Sequence, residues 1–230
     1  MKTAALAALF LLAAPAEGAV RNFSVTSFDR IRVDGPYQVS LKTNVAPFAR
    51  ASGAQGSLDS VSIKVEGRTL IVRTDSHNAW GGYPGEGRGP VTIELGTHDL
   101  STVWVNGAGA IAIDRVKGLS FDLAIMGSGV ARIDSAEVDQ LKVGMSGSAS
   151  ARIAGKAGKM TATIRGTSSL DAEGLAIKDA VIGAEGPALV KAAVTGTAKV
   201  DALGLAQVTL AGNPSCTVKS EGSASVSGCR

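Results

Sequence analysis

Residues 103–111 read VWVNGAGAI, residues 123–131 LAIMGSGVA, residues 143–151 VGMSGSASA and residues 162–170 ATIRGTSSL. Each segment centres on a glycine, and the series continues through Gly186, Gly204 and Gly222 with spacings of 18 to 20 residues. Four residues before the glycines stand Val103, Leu123, Val143, Ala162, Ile182, Val200 and Val218. Two before stand Val105, Ile125, Met145, Ile164, Ala184, Ala202 and Ser220, and four after stand Ile111, Ala131, Ala151, Leu170, Val190, Val208 and Val226. The residue two after is always small: Gly109, Gly129, Ala149, Ser168, Ala188, Ala206 and Ala224.

Alternation of period two places these apolar positions on one face of two short strands per repeat, with Thr, Lys, Asp, Arg and Ser facing water. One such repeat cannot bury its apolar face alone, whereas stacked repeats share a continuous core. The bend glycines Gly107, Gly127, Gly147, Gly166, Gly186, Gly204 and Gly222 give the backbone a turn that a Cβ would resist. Glycine and β-branched residues are too frequent for a helical reading. The sequence therefore predicts an all-β fold, a β-solenoid of Gly-centred coils about 20 residues long.

The N-terminal part follows the same grammar less regularly. Gly35 is flanked by Ile31, Val33, Val39 and Leu41, and Gly67 by Ile63, Val65 and Ile71. Residues 75–90 (DSHNAWGGYPGEGRGP) form an insertion without a strand pattern, after which 91–95 (VTIEL) resumes a strand. The expectation is one domain over 20–230, with looser coils first and compact ones last. A boundary near 96–100 is the alternative.

Met1-Lys2 followed by the apolar run from Thr3 to Ala14 reads as a secretory signal over residues 1–18, with cleavage after Ala16 or Gly18. The run is too short for a stable bilayer span. The expected destination is periplasmic or extracellular. Cleavage after Gly18 removes Lys2 and Glu17 and leaves the net charge at +3. Basic residues such as Arg132, Lys142, Arg152 and Lys191 stand singly, which argues against a nucleic-acid partner. Cys216 and Cys229 lie nearly symmetrically about Gly222. In an oxidising compartment they are expected to form a structural disulfide that closes the last coil.

The chain resembles the bacterial "putative autotransporter adhesin, head GIN domain" family. The resemblance rests on 28–35 (FDRIRVDG), 39–41 (VSL), 70–72 (LIV) and the steps Gly107-Ala108-Gly109, Gly127-Ser128-Gly129 and Gly147-Ser148-Ala149. It covers nearly the whole chain after the signal and implies a β-solenoid-like exported or envelope protein. It carries no catalytic motif. Gly186-Pro187-Ala188 and Gly204-Leu205-Ala206 depart from the hydroxyl-bearing step, which weakens any reading of that step as a ligand ladder.

For chemistry, the strongest acidic pattern is Asp114, Asp134, Ala154 and Glu173, seven residues after successive glycines. Ala154 interrupts it and Arg132 and Arg152 lie close by, so ordinary turn residues are the expectation. Ser128 and Ser148 lack the strand-to-helix elbow of a nucleophile. His77 and His98 have no partner pattern and read as surface-loop residues. No catalytic residue, metal ligand set or cofactor is assigned.

Binding is the more open class. Sugar recognition commonly uses aromatic platforms, and no aromatic residue follows Phe121. The candidate ligand-binding residues are Trp80, Tyr83 and Arg88 in the insertion, and Trp104, which falls on the outward face between Val103 and Val105. The expected arrangement has the loop folded over the sheet with Trp104 packed beneath it; the alternative is an open site. The preferred function is a non-enzymatic adhesin or envelope binding or scaffold module, with cell-surface glycan, cell wall or an envelope protein as partner. Alternatives are a polysaccharide-active enzyme and a self-associating structural protein of the envelope.

Overall fold

A computed structural model describes residues 19–75 and 89–230. The signal-like segment, His77, Trp80, Tyr83 and Arg88 lie outside the described residues. The described residues are 73% strand and 3% helix, wound into a β-solenoid of about six turns. The strands are β1 (Ala19–Phe23), β2 (Arg30–Asp34), β3 (Gln38–Lys42), β4 (Phe48–Gly53), β5 (Val61–Glu66), β6 (Thr69–Thr74), β7 (Thr92–Gly96) and β8 (Thr102–Gly107). Next come the long strands β9 (Ala110–Gly127), β10 (Val130–Gly147), β11 (Ser150–Gly166), β12 (Ser169–Glu185) and β13 (Leu189–Gly204). Three short strands close the chain: β14 (Gln207–Ala211), β15 (Ser215–Gly222) and β16 (Ser225–Ser227). Among the described residues a single short helix, α1 (Gln55–Asp59), links β4 to β5.

The long strands pair in parallel, and the repeat positions stack in register. Val103, Leu123, Val143, Ala162, Ile182, Val200 and Val218 form one column of paired residues. Ile111, Ala131, Ala151, Leu170, Val190, Val208 and Val226 form another. Both columns are buried except at their last members, with Val218 43% exposed. Burying one Val, Leu or Ile is worth roughly 1.5–3 kcal/mol, so the columns supply much of the cohesion between coils. The bend glycines carry φ between +77° and +109°.

Each compact coil also has a third inward run that the glycine-centred reading leaves out. In the coil before Gly147 the buried residues are Ala131 and Ile133, then Ala136 and Val138, then Leu141, Val143 and Met145. The middle run continues as Val138, Ala157, Ile177 and Val194. Register shifts fall just before it, between Ile133 and Ala136, Arg152 and Gly155, and Ala172 and Ala176. These bulges absorb the variation in coil length, so spacing from the glycine no longer marks the inward positions there.

The N-terminal coils do not stack in chain order. β2 pairs in parallel with both β6 and β8, and β3 with both β7 and β9. The β2–β3 coil, bent at Gly35, therefore lies between the later β6–β7 and β8–β9 coils. Gly67 is a correction to the sequence reading. It sits in the two-residue turn of an antiparallel β5–β6 hairpin, where Glu66 pairs with Thr69, and does not bend a coil. The flanks of a hairpin alternate just as the flanks of a coil bend do, and only the direction of return separates them.

One cluster of buried residues runs from Phe28 to Leu210. Antiparallel β5 covers one N-terminal edge, and antiparallel β4 and β1 the other. At the opposite end a disulfide joins Cys216 to Cys229 across 5.7 Å between Cα atoms. Cys216 ends the inward column that begins Phe121, Leu141 and Met160.

Candidate functional site

Trp104 points outward from β8 because its neighbours Val103 and Val105 point into the core. In register it stands between Arg32 of β2 and Ala124 of β9. Arg32 in turn stands beside Ile71 of β6, which pairs with Lys64 of β5. The resulting outer row reads Lys64, Ile71, Arg32, Trp104 and Ala124, with side chains of very unequal height.

That unevenness makes a groove of about 470 Å³, lined by Trp104, Arg32, Ile71 and Thr69, and by Glu66, Asn106 and Met126. Trp104 is half-buried. Ile71 is only 7% exposed although it faces outward, whereas Met126 is 55% exposed. On one flank the Asp34 carboxylate is clamped: Arg32 Nε and Nη2 each donate to Oδ2 at 2.7 Å. Asn106 Nδ2 donates to Oδ1 at 2.6 Å. This leaves Asn106 Oδ1 buried without a hydrogen-bond partner among the described residues, and Asp122 Oδ1 is in the same condition. Such an unpaired buried acceptor costs about 1–3 kcal/mol. Asp122 lies two residues before Ala124, the register partner of Trp104.

The site thus combines an aromatic surface, two aliphatic or thioether side chains, and a rim of fixed polar groups. Trp104 lines this groove; whether the insertion folds over it turns on residues 76–88, which lie outside the described residues. The insertion leaves β6 just after Thr74, whose Oγ1 meets Tyr37 Oη at 2.7 Å. Arg32, Asp34, Glu66, Ile71, Asn106 and Met126 were missed from the sequence. Met126 carried a signal, being a large apolar residue at an outward position of a strand.

Two members of the acidic pattern, Asp114 and Asp134, are taken up locally. Asp114 Oδ1 accepts hydrogen bonds from the Thr43 and Arg115 amides at 3.0 and 2.6 Å. Arg132 Nε lies 2.6 Å from Asp134 Oδ1. Arg152 pairs with Asp171 at 3.7 Å, and Asp171 Oδ1 also accepts from the Glu173 amide at 3.2 Å. Among the described residues no group of three or more His, Cys, Asp or Glu is placed to hold a metal ion. Ser148 and Thr167 hydroxyls bond each other at 2.8 Å along the bend ridge, and His98 is exposed.

A second hollow of about 420 Å³ lies near the C-terminal end among Lys159, Asp179, Thr197, Lys199 and Ser215. There Asp179 Oδ1 accepts from the Thr197 hydroxyl at 2.6 Å and its amide at 3.1 Å. These bonds hold the Asp179 carboxyl below the usual aspartate range.

Solved structures share this architecture. A "putative adhesin" from Bacteroides fragilis NCTC 9343 superimposes with a TM-score of 0.82 at 15% identity, covering 92% of this chain and 96% of its own. A "putative lipid binding protein" from Parabacteroides distasonis ATCC 8503 gives 0.73 at 15% identity, with the same two coverages. A "putative adhesin" from Parabacteroides merdae ATCC 43184 gives 0.65 at 16% identity, again covering 92% and 96%. At such identity these likenesses speak for the fold alone. No curated protein matches the sequence. The model of the family described as "Putative auto-transporter adhesin, head GIN domain" matches residues 27–214, most of the solenoid, and the chain belongs to that family.

Proposed function

We propose that this chain is an exported, non-catalytic binding module of the cell envelope, an adhesin, that holds its partner in the groove around Trp104. The partner is cell-surface glycan, cell wall or an envelope protein, and the destination is the periplasm or cell exterior. The observation that carries the reading is the outward, half-buried Trp104 with Arg32, Glu66, Asn106 and Met126 around it. Buried aromatic anchors with a polar rim are the usual energetic centres of binding surfaces. Family membership, the Cys216–Cys229 bridge and the signal-like N-terminus support export. No helix among the described residues is long and apolar enough to cross a membrane.

The test is adhesion of the purified, labelled protein to bacterial cells, cell-wall sacculi and host matrix proteins. Trp104→Ala should weaken that adhesion about ten-fold or more while leaving the far-UV circular dichroism unchanged. Equal adhesion by the folded variant would remove the groove from the function.

A further inference from the structure

We infer that the Trp104 groove takes a neutral, pyranose-containing glycan; this rests on the binding-module reading above and names its ligand class. Trp104 and Met126 give the groove an apolar strip, to which Ile71 at 7% exposure adds little. The groove crosses β6, β2, β8 and β9, three strand spacings or roughly 14 Å, so it admits an extended chain from the side. A pyranose ring offers an apolar C–H face to an indole and hydroxyls at its edge, which is the pattern this strip and its rim match.

Over the outward positions of β5, β6, β2 and β8 and the facing end of β9, Arg30, Arg32, Lys64 and Arg73 are opposed by Asp34, Glu66 and Asp122. Arg32 is already spent on Asp34. The small residual charge is spread over five strands and gives no field that would select a phosphate, a sulfated sugar or a basic peptide.

Asn106 Oδ1 and Asp122 Oδ1 are buried acceptors without donors among the described residues, close to Trp104 in sequence and register. The Glu66 carboxylate at the rim adds further acceptors. Sugar hydroxyls are donors in number, and a reorientation of the Asn106 amide would bring one acceptor to them. An acyl chain has no hydroxyls to offer these acceptors, and a fully ionised phosphate brings only more acceptors.

The experiment is a fluorescence titration of the full protein, with Trp104→Phe run in parallel so that the emission change belonging to Trp104 is read by difference. The probes are neutral gluco-, galacto- and N-acetylhexosamine oligosaccharides, their sulfated counterparts, and phosphatidylglycerol vesicles. The inference expects a saturable emission change with at least one neutral oligosaccharide, altered less than about two-fold between low and high salt because no ion pairs are exchanged. In a label-free assay Trp104→Ala should weaken that binding about ten-fold or more, and Trp104→Phe should restore most of it. A response only to sulfated sugars or vesicles, or no response to any probe, overturns it. If Trp104→Ala abolishes cell adhesion while neutral sugars neither bind nor compete, the ligand class fails and the binding module stands. If adhesion survives Trp104→Ala, both fail.

Discussion

Gly147→Ala tests the mechanics of the bend directly. Gly147 has φ of +100°, a region that costs an L-residue about 1–3 kcal/mol. A Cβ there would stand 2.5 Å from the Gly127 carbonyl oxygen of the preceding coil and 3.2 Å from that residue's carbonyl carbon. This contact is with backbone, so it cannot be relieved by a side-chain rotation. The same carbonyl accepts a hydrogen bond from the Ser148 amide at 2.8 Å, worth about 0.5–1.5 kcal/mol net. Pushing the two coils apart far enough to admit the methyl loses much of that bond. Together the terms give a destabilisation of roughly 2–4 kcal/mol, a large share of the 5–15 kcal/mol typical of a folded domain.

The matched control lies three residues away. Gly144 is on the same strand, has no positive φ, and a Cβ there meets nothing within 4 Å. Gly144→Ala should therefore stay within about 0.5 kcal/mol of the parent. Equilibrium urea unfolding followed by far-UV circular dichroism compares the two variants. Because solenoid stability is built from neighbour terms, Gly147→Ala should also broaden the transition as the coils on either side uncouple. If the two variants unfold at the same urea concentration, the bends are plastic and the repeated glycines are not what fixes the coil.

Reducing the Cys216–Cys229 bridge, or replacing Cys229 by Ala, closes off the entropic restraint of a 13-residue separation and should cost roughly 3 kcal/mol. Hydrogen exchange should show the loss concentrated in β15 and β16, and uniform loosening from β9 onward would contradict a terminal clasp. For Asp179 the folded-state pKa is lowered, first by the Thr197 hydroxyl and then by its amide. Its contribution to stability is therefore present above the ordinary aspartate range and lost as pH falls through the depressed value. Carboxyl NMR titration should place Asp179 below other exposed aspartates, and Thr197→Val should move it part of the way back; an unmoved midpoint would refute the assignment to that hydroxyl.

The compact half of the fold was legible because each glycine supplies a frame from which inward positions can be counted. Val143 and Met145 are buried where the count places them, and so are their partners in neighbouring coils. The count fails beyond Ile133, where the bulge resets the alternation before Ala136 and Val138. The order of the N-terminal coils was not legible for a different reason. Arg30 pairs with both Thr69 and Thr102, and nothing local to β2 says that a later segment will slide in on one side of it and another on the other. The groove inherits that difficulty. Trp104 could be identified as outward from its own strand, but Arg32 and Ile71 are its neighbours only through those non-local pairings.

The same inversion explains why the groove lies at this junction. From Trp104 onward the outer row continues through Ala124, Gly144, Thr163 and Gly183 in register. Coils of near-identical sequence put residues of similar size side by side, and the small residues that suit close repetition leave a smooth surface. A groove needs neighbouring side chains of unequal height and mixed polarity. The stack obtains them where β6 and β2, whose outward residues are free of the repeat, are laid against the first compact coil. There Ile71, Arg32 and Trp104 stand in consecutive strands, a juxtaposition no translation of the compact coil could produce. Selection on binding can then alter these outward positions without touching the inward columns, since every one of them sits between core residues on its own strand. That separation leaves the stack intact when the outward residues change, in keeping with a fold shared at 15% identity.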